Sequence, residues 1–479
     1  MHCPQPTGTL IPDVWYLVLG ILFEPLSLGN NNDSENSGVT QDATSLAKEN
    51  PVLRDLLALS GTCSWFRTLL APRLFRSIRL HNTRKSALAV QAIGEGKSSS
   101  YVKDLQYIPL YTGIWNDDEV PSVEEIYPPE LNTVLSNLSC FNSLERFKIT
   151  FVFDGDRELW DLLSDEFTDD FNSDAGVAEE RAEFEPWREL MASSFRAIAS
   201  NYDPQRYPND GNTNLPLTIT IRDLPPITLP TYYEPVWGHF LSHIKHFTMT
   251  IPYLENGAGW CLVTQSSYSG FAEYLGPWFF GHLRSVESIS FDPAETGLLG
   301  DTGDRYDFSI GLHDAKMPNL RRVHLTNLAL CDELLKFLIR HVETLESITL
   351  RDCHAFRRTY FEEGELRWKH LFKALIAAAP AKLREFEVVD TDQHDKPRLL
   401  FLDNHWADKS VVERAERKLK SEPDVRPFHY AYMSDKYGFV GGDFETLVDC
   451  FLSGEDDRLF KELMAVVEGN SEVDLLKEE

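Results

Sequence analysis

Residues 345–353 read Leu-Glu-Ser-Ile-Thr-Leu-Arg-Asp-Cys, and the spacing of their apolar residues is the strongest indication of the fold in the sequence. Leu345, Ile348 and Leu350 follow the order apolar, two residues, apolar, one residue, apolar. The last two of these positions alternate as they do in a β-strand that buries one face. The stretch therefore predicts a short strand with a buried side.

The same unit recurs along the chain. Five more copies are clear, and one further copy is weaker because its last position is a tyrosine. The clear copies are Leu144-Phe147-Ile149, Ile244-Phe247-Met249, Val286-Ile289-Phe291, Leu320-Val323-Leu325 and Leu383-Phe386-Val388, and the weaker copy is Val102-Leu105-Tyr107. One strand-helix unit cannot bury its apolar face alone, so we expect stacked copies to build one continuous core.

The units alternate with helical patterns and resemble leucine-rich repeats. Within residues 331–342, Leu334, Leu335, Leu338 and Ile339 share one helix face. The units at 320 and 345 lie 25 residues apart, within the 20–29-residue range of those repeats, whereas the units at 144 and 244 lie 100 apart. The resemblance implies an irregular α/β solenoid whose parallel strands line one face. The alternative is an ordinary α/β domain whose strands do not stack in order.

The first eighty residues follow a different pattern. Residues 10–23 (LIPDVWYLVLGILF) and 53–70 (LRDLLALSGTCSWFRTLL) both place apolar residues at the spacing of one helix face. Residues 71–80 (APRLFRSIRL) break at Pro72 and then place Phe75, Ile78 and Leu80 as a short strand would. These residues predict a small helical module that precedes the repeated units.

This segment resembles an F-box, in the form common in fungal F-box proteins. The similarity covers about one sixth of the chain. Matching residues in the first helix are Leu10, Asp13, Val14, Val18, Leu19 and Leu22. Matching residues in the second part are Asp55, Leu56, Leu57, Leu59, Ser60, Cys63, Phe66 and Arg67, and those at the exit are Ala71, Pro72, Leu74 and Phe75.

Three features depart from the F-box pattern. Ile11 occupies the usual proline position with Pro12 after it, and Thr62 replaces a valine. Residues 26–52 insert a polar stretch whose composition is typical of a disordered loop. Lengthening a loop from about 5 to about 27 residues costs only roughly 1.5 kcal/mol in closure entropy, so the insertion is compatible with the fold.

Composition and charge exclude several classes of protein. The chain has 479 residues, 42% of them hydrophobic, and a formal net charge of −29, which argues against binding nucleic acid or an anionic membrane surface. The apolar run 14–23 is too short to span a bilayer. Seven scattered cysteines without metal-ligand spacing indicate reduced thiols, so we expect a cytoplasmic or nuclear protein.

The negative charge is concentrated in two segments. Residues 154–185 hold 13 acids and 2 bases, and residues 442–479 hold 12 acids and 3 bases. By contrast, residues 53–85 hold 1 acid and 7 bases. The acidic segments are either solvated loops and a solvated tail or a docking surface for a basic protein target.

Residues that could carry catalysis are sparse in the sequence. His239, His243 and His246 are the nearest approach to a metal-binding set, but no Glu or Cys lies at a spacing that would complete it. We also find no nucleophile elbow and no phosphate-binding loop. We therefore expect no enzymatic activity, no metal and no cofactor.

The resemblance implies three regions and a function. These are an F-box domain at 1–82 with the insertion at about 26–52, a leucine-rich-repeat-like substrate-binding domain at 83–440, and an acidic C-terminal helix and tail at 441–479. The implied function is target recognition for an SCF-type ubiquitin ligase, with a Skp-type adaptor and a cullin as partners. The implied adaptor-binding residues are Leu10, Pro12, Val14, Val18, Leu19, Leu22, Leu56, Leu59, Cys63 and Phe66. The alternative is a repeat scaffold whose degenerate F-box joins no ligase.

Overall fold

The computed structural model of the chain describes residues 59–111, 122–153, 159–160, 163, 186–203, 215–302, 306–356, 366–391 and 409–478. The chain divides into two compact units, Met1–Leu74 and Phe75–Glu479. In the first unit, residues 59–62 are helical and helix α1 spans Ser64–Leu74. Pro72 lies inside the last turn of α1, so the helix continues two residues past the break that the sequence predicts.

A large parallel sheet organises the second unit. Its nine strands are β1 (Ser77–His81), β2 (Asp104–Ile108), β4 (Arg146–Thr150), β6 (Thr218–Arg222), β7 (His246–Thr250), β8 (Ser288–Asp292), β9 (Arg322–Thr326), β10 (Ser347–Arg351) and β12 (Glu385–Val389). Each strand pairs in parallel with the next one along the chain. The α/β class predicted from the sequence is confirmed.

Two rows of apolar side chains cross this sheet in register. In every strand the second and fourth residues are buried. One row contains Leu105, Phe147, Ile219, Phe247, Ile289, Val323, Ile348 and Phe386, and the other contains Tyr107, Ile149, Ile221, Met249, Phe291, Leu325, Leu350 and Val388. Each of the seven units identified in the sequence ends in one of these strands, because its last two apolar positions supply the two rows.

Two strands of the sheet are not among those seven units. In β6 the second and third apolar positions are Ile219 and Ile221, but the first is Pro216. The sequence pattern therefore misses this copy, which lies within the long interval between residues 144 and 244. In β1 the residues Phe75, Ile78 and Leu80 do have the unit's spacing. This strand lies inside the range 1–82 expected for the F-box domain, and it pairs with β2 in the second unit.

Smaller strands and helices complete the second unit. Strands β3 (Leu110–Tyr111) and β5 (Val152–Phe153) pair with each other, and β11 (Ala355–Phe356), β13 (Tyr430–Met433) and β14 (Val440–Gly442) form a third sheet. The helices are α2 (Arg84–Glu95), α3 (Val123–Ile126), α4 (Pro129–Leu135), α5 (Pro186–Ala199), α6 (Pro235–Ser242), α7 (Ser266–Trp278), α8 (Asp332–Arg340), α9 (Trp368–Ala377), α10 (Lys409–Ser421), α11 (Phe444–Ser453) and α12 (Glu455–Glu478).

Helix α8 shows why the segments between strands become helical. Its first turn is acidic and its last turn is basic, which complements the helix dipole. Leu334, Phe337 and Leu338 are buried, while Leu335 and Ile339 are only partly buried. The buried face therefore includes Phe337, which the predicted helix face omits.

Asn and Asp side chains secure the turns that follow the strands. Asp223, Asn327 and Asp352 come directly after strands and have φ between 46° and 52°, a region that Asn and Asp tolerate better than most residues. Asn327 Nδ2 donates to Asp292 Oδ1 at 2.8 Å, and Asp352 Oδ1 accepts from the Thr391 backbone N at 2.8 Å. These bonds link neighbouring turns, so the ends of the strands are held in line.

The C-terminal helices pack against the end of the large unit. Leu459, Leu463 and Val467 of α12 are buried. Phe460 lies 5.5 Å from Phe372 of α9 between ring centroids, and 5.4 Å from Phe428. After the end of β14, the described part of the segment 441–479 is therefore mainly helical and joins the core. Among the described helices, none is both long and apolar enough to cross a membrane.

Candidate functional site

The adaptor-binding residues predicted from the F-box pattern are only partly within the described chain. Leu59, Cys63 and Phe66 are described. Leu10, Pro12, Val14, Val18, Leu19, Leu22 and Leu56 lie outside the described residues, as does the insertion 26–52. The geometry of this site is therefore built from its second helical segment.

Helix α1 presents apolar side chains to a small cluster and to solvent. Leu70 is 1% exposed, and Leu59, Leu69 and Leu74 pack against it. Trp65 keeps 46% of its surface exposed and meets Phe66 edge to face, with the ring centroids 4.9 Å apart. An indole this exposed is a usual anchor at protein interfaces. The F-box pattern does not single out Trp65, because it allows any residue at that position.

Thr62 is accommodated in this segment without burial. Its hydroxyl donates to the Leu59 carbonyl at 2.7 Å, and the residue is exposed. The threonine in the valine position thus leaves no unsatisfied polar group in an apolar environment, which would be costly.

A second candidate surface is the polar face of the large sheet, which consists of the first, third and fifth residues of its nine strands. Because side chains alternate along a strand, these residues point away from the two buried rows. On the first eight strands this face carries two acids, Asp104 and Asp292, and more bases. The bases are Arg79, Arg146, Lys148, Arg222, Arg322 and Arg351.

The ion pairing on the polar face is uneven. Arg146 binds Asp104 through two hydrogen bonds, one of them 2.9 Å between Nη2 and Oδ2. Asp292 is engaged by the Asn327 amide. Among the described residues, the side chains of Lys148, Arg222, Arg322 and Arg351 have no hydrogen-bond or ion-pair partner, and the Arg351 Nε is buried. Free positive charge therefore remains on this face.

Lys148 shows the electrostatic effect of this arrangement. Burial lowers the pKa of its ammonium group to about 8, and Arg222 and Arg79 lower it as well, while Asp223 opposes them. The cost of a half-buried cation beside other cations would fall if an anion bound there. The polar face thus favours anionic groups near Lys148.

The acidic C-terminal segment is partly internal. Asp443 caps α11 by accepting from the Thr446 backbone N at 3.1 Å. Asp456 accepts from the Lys369 backbone N at 3.0 Å and from the Tyr430 hydroxyl at 2.8 Å, and Asp457 accepts from the Arg426 backbone N at 3.1 Å. All three aspartates are buried. Part of the acidic charge therefore stabilises the fold, and most of the other acidic segment, 154–185, lies outside the described residues.

The three histidines that are spaced along the sequence, His239, His243 and His246, do not come together at one metal-binding point. His243 Nδ1 lies 2.8 Å from the His239 carbonyl oxygen, whereas His246 lies in β7 on the polar face. Within the described ranges, no group of three or more His, Cys, Asp or Glu residues is arranged to hold a metal ion.

Three of the described cysteines, Cys261, Cys331 and Cys353, are buried thiols outside any disulfide. Burial raises the pKa of Cys261 and Cys331 to about 11 and that of Cys353 to about 12. Thiols with raised pKa values are poor nucleophiles at neutral pH. These three cysteines are therefore structural residues.

His354 and His429 form a polar cluster with Asp390 near the end of the sheet. His429 Nε2 contacts an Asp390 carboxylate oxygen, and the two histidine rings lie 5.9 Å apart between centroids. Burial lowers the pKa of His354 to about 4, with a further contribution from His429. The Trp368 indole donates to the His429 carbonyl at 2.8 Å, which ties the cluster to α9. Cys353 lines the same small cavity as Asp390 and His429, but burial raises the pKa of its thiol to about 12, which makes it a poor nucleophile.

Comparison with known proteins finds no family model that matches the chain and no curated protein with a significant match. The residues and their geometry alone therefore carry the functional argument.

Proposed function

We propose that this protein is an F-box substrate-recognition adaptor of an SCF-type ubiquitin ligase. Its N-terminal module binds a Skp-type adaptor, which links it to a cullin, and its large unit captures a protein target for ubiquitination. Catalysis belongs to the other subunits of the ligase. The protein acts in the cytoplasm or the nucleus, where such ligases work.

The observation that carries this proposal is the string of F-box residues from Asp55 to Phe75. The described part of that string contains a helix with one side packed in a small leucine cluster and with Trp65 exposed. Helix-on-helix docking needs such apolar side chains, since burying each one is worth roughly 1.5–3 kcal/mol.

The large unit supports the second half of the proposal. We interpret its strands as an irregular leucine-rich-repeat-like array, because they follow one another in chain order with a common register. Such an array offers a long row of side chains from successive strands, which suits recognition of another macromolecule.

Binding to a Skp-type adaptor tests the proposal. We expect the full-length chain to co-purify with a Skp-type adaptor when the two are co-expressed. Replacing Leu56 and Leu59 with aspartate should abolish the complex, because charges would enter an apolar interface. Trp65→Ala should weaken binding at least tenfold while leaving the contact between Leu59 and Leu70 in place.

Thr68→Ala provides the matched control. Thr68 is exposed on α1, and within the described residues its hydroxyl donates to the Ser64 carbonyl alone, at 3.0 Å, so this variant should bind as the wild type does. Thermal unfolding of the large unit should be unchanged in all variants. A wild-type chain that fails to bind any Skp-type adaptor would favour the scaffold with a degenerate F-box.

A further inference from the structure

We propose that the polar face of the large sheet binds an acidic, extended segment of the protein target through Lys148, Arg222, Arg322 and Arg351. This inference rests on the proposed function, since it names the chemistry of the target that the adaptor captures. It differs from the expectation that an acidic surface of the chain would bind a basic target.

The sign of the charge on this face is the first reason. The formal net charge of the chain is −29, yet bases outnumber acids on the first eight strands of the polar face. An excess of one sign on a single face of an oppositely charged protein provides local complementarity for an anionic partner. At an ionic strength of about 0.1 M, charges more than about 10 Å from the polar face are largely screened. The local excess of positive charge on this face therefore governs the binding of an anionic partner.

The lack of internal partners is the second reason. Arg146 is neutralised by Asp104, but Lys148, Arg222, Arg322 and Arg351 form no ion pair within the described part of the chain. Asp223 offsets part of the charge of Lys148 and Arg222, while Arg322 and Arg351 lie on strands farther along the sheet. The buried Arg351 Nε is also without a hydrogen-bond acceptor. A carboxylate that approached these groups would satisfy donors that the fold leaves open.

The spacing of the bases indicates an extended segment. From β4 with Lys148 to β10 with Arg351, the sheet order has five strand steps. At about 4.8 Å per step this is roughly 24 Å, the length of about seven residues of extended chain. The strands between, β6 to β8, carry mainly threonine and serine on this face. A peptide crossing them would meet mostly short hydroxyl groups between long cationic side chains, and its path would avoid Asp292 at the end of β8.

The composition of the face favours a polypeptide over a nucleic acid. No Phe, Tyr or Trp occurs at the first, third or fifth positions of the nine strands, whereas single-stranded nucleic acids are usually held by aromatic stacking. The four bases without ion-pair partners also lie on four different strands, β4, β6, β9 and β10, and do not converge on one point, as they would around a phosphate group. Carboxylates placed along a chain fit this spread.

The charge on the polar face changes from positive to negative at the last strand, β12. Glu385 and Glu387 of β12 are exposed on the same face. They would repel further acidic residues, so the acidic stretch of the target ends near β10. This limit gives the proposed segment a defined length.

A peptide-binding measurement tests the inference. The full-length chain is titrated at 0.1 M salt against a labelled octapeptide of six glutamates and two glycines, with fluorescence anisotropy as the readout. We expect binding that weakens as salt rises, and no binding of the corresponding glutamine or lysine peptides. Lys148→Glu combined with Arg222→Glu should weaken binding at least tenfold.

The matched control is Arg284→Glu combined with Lys316→Glu. Both residues are exposed and lie off the polar face, and the pair changes the net charge by the same amount. Its affinity for the glutamate peptide should stay within twofold of wild type. If the control pair weakens binding equally, only net charge matters and the inference fails. Thermal unfolding of each variant excludes loss of folding as the cause.

Three other outcomes would overturn the inference. They are a wild-type chain that does not bind the glutamate peptide, tighter binding of the lysine peptide, and binding only of a matched octapeptide in which phosphoserines replace the six glutamates. Co-purification with the Skp-type adaptor is measured in parallel. If adaptor binding persists while the peptide does not bind, this inference alone fails. If the peptide binds but the adaptor does not, the proposed function fails and the peptide-binding face stands.

Discussion

At the scale of single residues, burial decides which groups keep their charge. His354 is held neutral because its ring is largely removed from water and His429 lies close by, although Asp390 opposes the shift. Lys148 is affected in the same direction, but on the polar face, where a ligand can reach it. Burial thus makes His354 a neutral structural residue, whereas on the polar face it makes Lys148 a candidate binding residue.

His354 gives a prediction about stability and pH. Its pKa is about 4 in the folded chain and about 6.5 when unfolded. As pH falls below about 6.5 the unfolded chain gains a proton there that the folded chain does not, so stability is lost between about pH 6.5 and 4. At pH 5 the loss from this residue is about 2 kcal/mol.

Urea unfolding at pH 7.5 and pH 5.0 provides the measurement. His354→Gln should reduce the difference in unfolding free energy between the two pH values by about 2 kcal/mol, while His313→Gln, at an exposed histidine, should not change it. An equal pH dependence in wild type and His354→Gln would show that His354 titrates normally.

Single residues also reveal a basic surface that the negative net charge of the whole chain does not indicate. A net charge of −29 favours an acidic binding surface when the sequence is considered as a whole. The basic residues of the polar face become visible only when alternate positions of each strand are separated. The repeated unit already contains that information for Lys148, Arg322 and Arg351, since each lies beside an apolar position of the unit. Which of them lack partners depends on contacts between strands that are distant in sequence.

At the scale of elements, the repeated apolar unit predicts strands well because two buried rows require the same spacing in each copy. Seven strands follow from it directly. It misses β6 because Pro216 replaces an apolar residue before the strand, and a proline there does not interrupt the ladder that begins at Thr218. The C-terminal helices were expected only as an acidic helix and tail, because their apolar positions are interspersed with acids.

Helix α12 gives a prediction at this scale. Leu463 is fully buried, so Leu463→Ala should lower the free energy of unfolding by about 3 kcal/mol through lost burial and a cavity. The control Glu468→Gln removes an exposed charge and should change stability by less than about 0.5 kcal/mol. Chemical denaturation measures both. If Leu463→Ala is as stable as wild type, α12 does not pack in solution as described.

At the scale of the whole molecule, we propose different functions for the two units. The first unit carries all but one of the residues that resemble an F-box, and the second carries the array of parallel strands and its polar face. Seven of the ten predicted adaptor-binding residues lie outside the described part of the chain, so packing bears on Leu59, Cys63 and Phe66 of that set and on the added Trp65. The array follows from periodicity over the whole second unit.

The central claim is that this chain joins a ubiquitin ligase through its first unit. Light scattering of the purified full-length chain mixed with a Skp-type adaptor and a cullin tests this claim most directly. We expect a single species with the mass of a 1:1:1 complex, which is lost for the Leu56→Asp and Leu59→Asp double variant. A wild-type chain that elutes apart from both partners would contradict it.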